Sequence, residues 1–359
     1  MAMFVPGLDL ARAFYERIVA ELVSGVAHAA ALVGEGSEVL GFDNDRSTDH
    51  SWGPRLQIFV EPDRLDDVRA AVEVGLPKDF EGWPVRFPAW RSGRIDHHVE
   101  VTTVADWLEA HLGFDPRPSM TSARWLATPQ QLLLEVTAGE VFWDDTGELT
   151  AVRKLLSWYP DDVWLWVMAC QWHHLSEVEP LVGRTAEVGD ELGSRTLAAS
   201  QVSNAMRLCL LQERRFAPYP KWLGTTFGRS MAAGDLDGPL RAVVEADDHR
   251  ARETALVQVY ETLARRHNQL GVTEPVDATP EPFKVGINEA TRPYQVLHAA
   301  RFATSCQQAI VDENLRKVPL IGSIDQIETT DLLTHFTDLP DRMVSIYEQL
   351  TRTASQPDG

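Results

Sequence analysis

The sequence predicts an α+β protein, with a mixed sheet and flanking helices in the first part and a mostly helical C-terminal domain after it. Three observations predict this fold class. A short apolar run at 29–33 and an alternating run at 94–102 are typical of strands. Farther along, apolar residues recur at helical spacing over the longer segment 190–215.

The chain has 359 residues, which is enough for two domains with separate cores. Composition changes from turn-rich and alternating to helical near residue 150. We therefore expect a first domain at 1–150, a helical domain at 151–352 and a disordered tail at 353–359.

Composition restricts the function classes. Hydrophobic residues make up 44% and charged residues 24%, as in soluble globular proteins. The net charge of −20 argues against general nucleic-acid binding, because nucleic acids are polyanions. The cysteines (Cys170, Cys209 and Cys306) stand far apart in apolar helical segments, which predicts buried thiols. With no apolar stretch of membrane-spanning length and no signal-peptide pattern, we expect a cytoplasmic protein without membrane association.

The first domain should begin with an amphipathic helix at 8–24, where apolar residues recur every three or four positions. A strand at 29–33, a glycine turn and a second strand at 56–60 should follow. Pro62 and Asp63 suit the start of a helix that continues to Val74.

The rest of this domain should contain further strands and a short helix at 103–113. Alternation at 94–102 places Val99 and Val101 on one face, with Asp96, His98 and Glu100 on the other. The stretch 131–145 resembles a hairpin or strand.

Helices dominate the predicted second domain. They cover 162–178, 190–215, 238–245, 246–270, 294–316 and 339–351, with a proline-rich link at 271–283. Trp164, Trp166 and Trp172 in the first of them are expected to pack a domain interface.

The glycine turn Gly34-Glu35-Gly36-Ser37 is the first candidate functional element. Glycine tolerates positive φ and has no Cβ, so backbone N–H groups in such a turn approach an anion closely. A phosphate group is the expected ligand.

This region resembles the polymerase-beta-type nucleotidyltransferase superfamily, and in particular a bacterial branch with a domain of unassigned function. The resemblance lies in Gly36-Ser37-Glu38-Val39-Leu40-Gly41-Phe42-Asp43 followed by Ser47-x-Asp49-His50-x-Trp52-Gly53-Pro54. A second similar motif extends from Arg215 to Gly224. The resemblance implies a nucleotidyltransferase-type mixed sheet.

The resemblance also implies roles for individual residues. Gly36 and Ser37 would hold the triphosphate of an NTP, and Asp49 would hold Mg²⁺. The superfamily has a second acid two residues later, so that both carboxylates reach one metal ion. This sequence has Ser51 there. Either a nearby acid, Asp43 or Asp45, compensates, or turnover is reduced or lost.

Glu100 is the candidate for the third acid of the superfamily, as a metal ligand or as the base that deprotonates an acceptor hydroxyl. Asp96 lies on the same strand face and is the alternative. Glu100 could equally be an ordinary exposed carboxylate.

Tyr219 and Lys221 are the candidate nucleotide-binding residues of the helical domain. A lysine with neighbouring arginines and aromatic rings can neutralise a triphosphate and stack a base. Alternatively, these residues neutralise the acidic first domain across an interface.

The resemblance implies Mg²⁺-dependent transfer of a nucleoside monophosphate from an NTP, with ATP as the expected donor, to a hydroxyl of a small molecule or protein. The two domains would enclose the cleft for nucleotide and acceptor. The alternative is a catalytically silent nucleotide-binding or interaction protein on the same scaffold, which Ser51 favours. The sequence leaves the base, the acceptor and the oligomeric state open.

Overall fold

The computed structural model describes residues 4–49, 52–89, 92–285, 287, 290–330, 332–335 and 338–353. The predicted disordered tail therefore lies, apart from Thr353, outside the described residues. The strands are β1 Ala29–Leu32, β2 Arg55–Phe59, β3 Asp79–Phe80, β4 Trp83–Pro84, β5 Arg86–Pro88, β6 Ile95–Thr102, β7 Glu140–Asp144, β8 Glu281–Lys284 and β9 Thr291–Val296.

The described α-helices fall into two groups along the chain. The helices before residue 160 are α1 Gly7–Phe14, α2 Ala20–Leu22, α3 Leu65–Gly75, α4 Val104–Leu112, α5 Ser122–Ala127, α6 Gln130–Thr137 and α7 Glu148–Leu155. The later ones are α8 Asp161–Glu187, α9 Glu191–Gln212, α10 Pro220–Gly228, α11 Ala233–Glu245, α12 His249–Leu270, α13 Ala300–Ala309, α14 Glu313–Arg316, α15 Ile324–Ile327 and α16 Asp338–Thr353. A π-helical turn, Tyr15–Val19, joins α1 to α2, and 3-10 turns form at Asp45–Asp49, Pro62–Arg64 and Leu332–His335.

The chain forms two compact units. The first contains residues up to 120 together with 131–157, and the second contains 121–130 together with the residues after 157. The sequence-based division placed one boundary after residue 150 and did not foresee that 121–130 would belong to the second unit.

The first unit contains the mixed sheet that the sequence predicts. Its strand order is β5-β6-β2-β1-β7. Strands β2 and β6 are parallel, and the other neighbours are antiparallel. The second unit is mostly helical, so the predicted fold class is confirmed.

One face of the sheet packs on the N-terminal helices. Leu56 and Ile58 of β2 and Val99 of β6 join a core cluster with Leu10 and Phe14 of α1. Because strand side chains alternate, Gln57 and Glu100 belong to the opposite face. This is the face that the alternation at 94–102 predicts for Glu100.

The prediction of a strand or hairpin at 131–145 is wrong in its first half, where α6 forms. Leu132, Leu133 and Val136 are buried at helical spacing, and the Thr137 hydroxyl donates to the Leu133 carbonyl 2.7 Å away. The run is buried on almost every side, polar residues included, so its period does not distinguish a helix from a strand.

The predicted helix at 294–316 is also wrong at its start. Tyr294 belongs to β9, which pairs with β8 in an antiparallel hairpin. Helical structure begins only with α13 at Ala300. Pro293 removes a backbone donor and, at the hairpin edge, is tolerated in a strand.

The tryptophans of α8 are buried and make hydrogen bonds within the second unit. The Trp164 indole donates to the Leu211 carbonyl at 2.8 Å, and the Trp172 indole donates to His267 at 3.1 Å. Trp166 is fully buried. The three cysteines are buried and free, as expected. Among the described helices, none combines the length and hydropathy needed to cross a membrane.

Glu179 joins α8 to the segment between β9 and α13. Its carboxyl oxygens accept hydrogen bonds from the backbone N–H groups of Leu297 at 2.9 Å and Ala299 at 2.8 Å. Burial raises the pKa of Glu179 to about 7, although these N–H groups act in the opposite direction. A carboxyl that ionises near neutrality therefore lies inside the helical unit.

Gly139→Ala should destabilise the protein strongly. Gly139 has φ +68°, and a Cβ there would lie 2.0 Å from the Leu32 carbonyl oxygen of β1. Gly147→Ala is a matched control, because Gly147 has φ +72° but no atom within 4 Å of an added Cβ. Both variants bear the cost of a left-handed conformation, about 1–2 kcal/mol, and Gly139→Ala adds overpacking of about 1–3 kcal/mol. Urea unfolding measures both, and equal losses would contradict the close approach of Gly139 to β1.

The stability contribution of Glu179 should depend on pH. Its pKa is about 7 in the folded protein against an ordinary 4.5, so the folded state holds the proton more tightly. The contribution is then fully present below about pH 4.5 and is lost as the pH rises to about 7. We expect the free energy of unfolding of the native protein, relative to Glu179→Gln, to fall across this interval and to stay constant above it. Urea unfolding at several pH values tests this, and a difference that is independent of pH would refute it.

Candidate functional site

The glycine turn follows β1 directly. Gly34 has φ +89° and Gly36 has φ +138°, conformations that side chains disfavour. A Cβ on Gly36 would lie 2.4 Å from Nη2 of Arg55 and 2.6 Å from Oε2 of Glu38. Glycine at 36 is thus required for these two charged side chains to lie against the turn.

Backbone hydrogen bonds from α6 and its C-terminal loop hold the turn. The Gly34 N–H donates to the Glu135 carbonyl at 2.7 Å, and the Gly139 N–H donates to the Val39 carbonyl at 2.8 Å. The turn is therefore anchored at both ends by a segment about a hundred residues away in sequence.

Arg55, the first residue of β2, makes the main ionic contact of the turn. Its Nε donates to Oε1 of Glu38 at 2.8 Å, and its Nη2 donates to the Glu35 carbonyl. Both charged side chains are mostly buried, with 17% of Arg55 and 6% of Glu38 exposed. Arg55 thus connects the start of a central strand to the turn.

A hydroxyl contact joins the turn to the acidic segment after it. Ser37 Oγ lies 3.3 Å from Ser47 Oγ, in the 3-10 turn that ends at the exposed Asp49. Ser51, which occupies the position of the second acid, lies outside the described residues. Asp43 accepts hydrogen bonds from the Gly7 N–H at 2.7 Å and the Trp52 indole at 3.2 Å. Both hydrogen bonds go to Oδ2 of Asp43, whereas Asp45, the other acid considered to compensate for Ser51, is exposed.

Glu100 lies beside Gln57 in the parallel register of β6 and β2. Partial desolvation raises the pKa of Glu100, whereas Gln57, His111 and Arg55 act to lower it. Gln57 also accepts a hydrogen bond from the Val33 N–H at 3.1 Å, at the end of β1. Glu100 therefore lies opposite the middle of β2, and Gln57 stands between it and the end of β1 that leads into the glycine turn.

Asp96, the alternative third acid, is engaged in ion pairs. Its carboxylate lies 3.2 Å from Arg86 and 3.0 Å from Arg94. The His97 N–H and these cations lower the pKa of Asp96, although partial burial acts against them. Within the described ranges, Glu73, Asp96 and His97 are the group whose ligand atoms lie close enough to share a metal ion. Arg86 pairs with both acids of this group and Arg94 also pairs with Asp96, so two cations already balance the two carboxylates.

His111 and Glu135 form a pair that sequence reasoning missed. Nε2 of His111 in α4 lies 3.0 Å from Oε2 of Glu135 in α6, and both side chains are mostly buried. Gln131 donates a hydrogen bond to the other carboxylate oxygen of Glu135 at 2.8 Å. The Trp107 ring stacks on the His111 ring, with the ring centroids 4.8 Å apart. The helical spacing of Gln131 and Glu135 was the available signal, but this stretch was interpreted as a strand.

Tyr219 and Lys221 lie in the second unit. Tyr219 directly precedes α10, with Pro220 in the first turn. The exposed Lys221 ammonium lies 4.8 Å from the Trp222 ring, within the range of a cation–π contact. The neighbouring Arg214 pairs with Asp161 at 2.8 Å and stacks over Trp164, so this arginine has a partner in its own unit. A nucleotide-binding role for Tyr219 and Lys221 stays a prediction.

Comparison with known proteins gives a family match over part of the chain and a similar solved structure. Residues 125–223 match a family described as "Domain of unknown function (DUF4037)". No curated protein matches the chain. A crystal structure of a nucleotidyltransferase-like protein from Exiguobacterium sibiricum 255-15 is similar, at 11% identity and a TM-score of 0.33, over 86% of this chain and 91% of that one. Likeness at this level does not establish a shared fold, so we argue function from the contacts of the chain itself.

The matched segment covers only part of the candidate site. It includes Glu135, Tyr219 and Lys221, whereas Gly36, Ser37, Asp49 and Glu100 lie outside it. Asp49 and Glu100 offer carboxylate oxygens, the ligand type that Mg²⁺ prefers, and this ion commonly binds through one or two carboxylates together with phosphate and water. The residues thus fit Mg²⁺ in donor chemistry.

Glu38→Gln should destabilise the fold through the Arg55 pair. Removing one partner of a mostly buried ion pair leaves the other charge uncompensated, which costs about 3–5 kcal/mol when burial is complete. Because part of Arg55 is exposed, we expect a loss of about 2–4 kcal/mol. Asp237→Asn serves as the control, since Asp237 pairs with Arg241 on an exposed helix surface and should cost below about 0.5 kcal/mol. Chemical unfolding measures both, and similar losses would show that Arg55 does not depend on Glu38.

Proposed function

We propose that this protein transfers a nucleoside monophosphate from an NTP to a hydroxyl of a small molecule or protein, in a Mg²⁺-dependent reaction. One observation carries the proposal. Arg55 bonds to the glycine turn and is also an electrostatic neighbour of Glu100, so one guanidinium connects the turn that we propose as the phosphate site with a carboxylate of the same sheet.

The glycine turn would bind the triphosphate. Backbone N–H groups at Gly36 and Ser37 would serve as donors, and Ser37 also contacts Ser47 in the segment that leads to Asp49. Asp49 would hold Mg²⁺, which supplies charge neutralisation at the phosphates when bound. Positioning of the α-phosphate and the acceptor hydroxyl would supply much of the rate acceleration.

Glu100 would act as the general base. The acceptor oxygen forms a bond to the α-phosphorus, the bond to the β-phosphate oxygen breaks, pyrophosphate leaves, and the hydroxyl proton passes to Glu100. A raised pKa makes a carboxylate a stronger base near neutral pH. His111, held beside Glu135, is an electrostatic neighbour of Glu100 and acts to lower the pKa of Glu100.

A second candidate function is nucleotide binding without chemistry. The residue beside Glu100 in the register is Gln57, a neutral amide, and the position of the second acid is Ser51. A site with fewer carboxylates binds Mg²⁺ more weakly. This candidate predicts nucleotide binding that is nearly indifferent to Mg²⁺ and no release of pyrophosphate.

Thermal unfolding with each of the four NTPs, with and without Mg²⁺, tests the proposal. A ligand at about a hundred times its Kd adds about 2.7 kcal/mol to the free energy of unfolding. We expect a Mg²⁺-dependent rise in Tm with one NTP that Asp49→Asn removes. Asp66→Asn is the control, because Asp66 is exposed on α3, and it should keep the rise.

Glu100→Gln separates binding from catalysis. This variant should bind the nucleotide as the native protein does, while pyrophosphate release in the presence of acceptors falls by a factor of about 10²–10⁴. Full turnover by Asp49→Asn would exclude the transferase assignment. A shift in Tm that is unaffected by Mg²⁺ would favour the silent binding protein.

A further inference from the structure

A pocket of about 150 Å³ lies in the second unit, between α8, α12 and β9. A cavity of this size accommodates a molecule about as large as benzene. Its lining includes the acidic residues Glu179, Glu187 and Glu253 and the rings of Tyr260 and Tyr294. It consists of residues of the second unit alone, and the transfer reaction proposed above does not use it.

Tyr294 forms a rigid wall of this pocket. Its ring lies directly against Gly183 of α8, where an added Cβ would be 2.4 Å from the ring. Phe283 stacks on the ring, with the centroids 5.7 Å apart. Only 6% of Tyr294 is exposed, and its buried hydroxyl has no hydrogen-bond partner among the residues that the structure describes. A buried hydroxyl without a partner is unfavourable, and a ligand that reaches it from the pocket would provide one.

Two carboxylates of the lining each use one oxygen only. Oε2 of Glu187 pairs with Arg292 at 3.2 Å, and Oε1 of Glu253 accepts the Gln295 N–H at 2.7 Å. The second oxygen of each has no partner in the described part of the chain. Glu179 differs, because both of its oxygens already accept backbone hydrogen bonds.

The available groups therefore consist of two carboxylate oxygens and one hydroxyl oxygen, next to an aromatic face. A primary ammonium group has three N–H donors and a positive charge, and cations also bind to tyrosine rings. The cationic side chains of the lining, His249 and Arg250, are exposed at the first turn of α12. We propose that the pocket binds a small organic cation through its primary ammonium group.

Three probes of matched size test this proposal on the full chain: butylammonium, butanol and butyrate. At equal ionic strength, butylammonium should raise the Tm and shift NMR signals of pocket residues, with much weaker effects from butanol and none from butyrate. Equal binding of butanol would show that the pocket is only an apolar cavity, and preferential binding of butyrate would show that it is an anion site. Either result would overturn the proposal, as would the absence of binding by all three.

Variants localise the site. Glu187→Gln and Glu253→Gln should each weaken butylammonium binding about tenfold, whereas Glu245→Gln, at an exposed position of α11, should leave it unchanged. Tyr294→Phe keeps the ring and removes only the hydroxyl. We expect it to weaken binding and, because the unpartnered hydroxyl is lost, to raise the Tm of the ligand-free protein. A lower Tm would mean that the hydroxyl has a partner and would contradict the assignment, as would unchanged binding in both glutamine variants.

Discussion

The contact between Arg55 and the glycine turn is the constraint on which the candidate site depends. A mostly buried Glu38 needs a counter-ion, and Arg55 at the start of β2 provides it while also bonding to the Glu35 carbonyl. This arrangement leaves no room for a side chain at residue 36. The burial of this ion pair therefore determines both the glycine at residue 36 and the path of the chain between β1 and β2. The same guanidinium contributes to the electrostatic environment of Glu100.

The fold class could be predicted because the decisive strands have clear periods. The alternation in β6 correctly separates the buried Val99 and Val101 from Glu100, since a strand with one face in the core has a period of two. The segment that forms α6 lacked such a signal, because it is buried on most sides. For β9, the hairpin partner determines the structure, and local sequence does not reveal that partner.

The candidate site also contains some residues that the sequence could predict and others that it could not. Gly36, Ser37 and Asp49 form a local pattern, and Glu100 follows from its strand, so sequence reasoning could select all four, although their roles remain predictions. The pair of His111 and Glu135 depends on a contact between two helices, α4 and α6, and neither residue has a distinctive neighbourhood in the sequence. The pocket of the helical unit is harder still to foresee, because its lining comes from three elements spread over residues 179–295.

The packing of α5 against α16 has a consequence for the synthesis of the protein. Arg124 of α5 pairs with Asp341 of α16, 217 positions later, and α5 also contributes the buried Trp125 and Leu126. At translation rates of about 5–20 residues per second, α5 emerges roughly ten to forty seconds before its partner exists. During this interval the apolar side chains of α5 lack their contacts with α16. The second unit can therefore complete its core only late, and chaperones have a defined segment to protect.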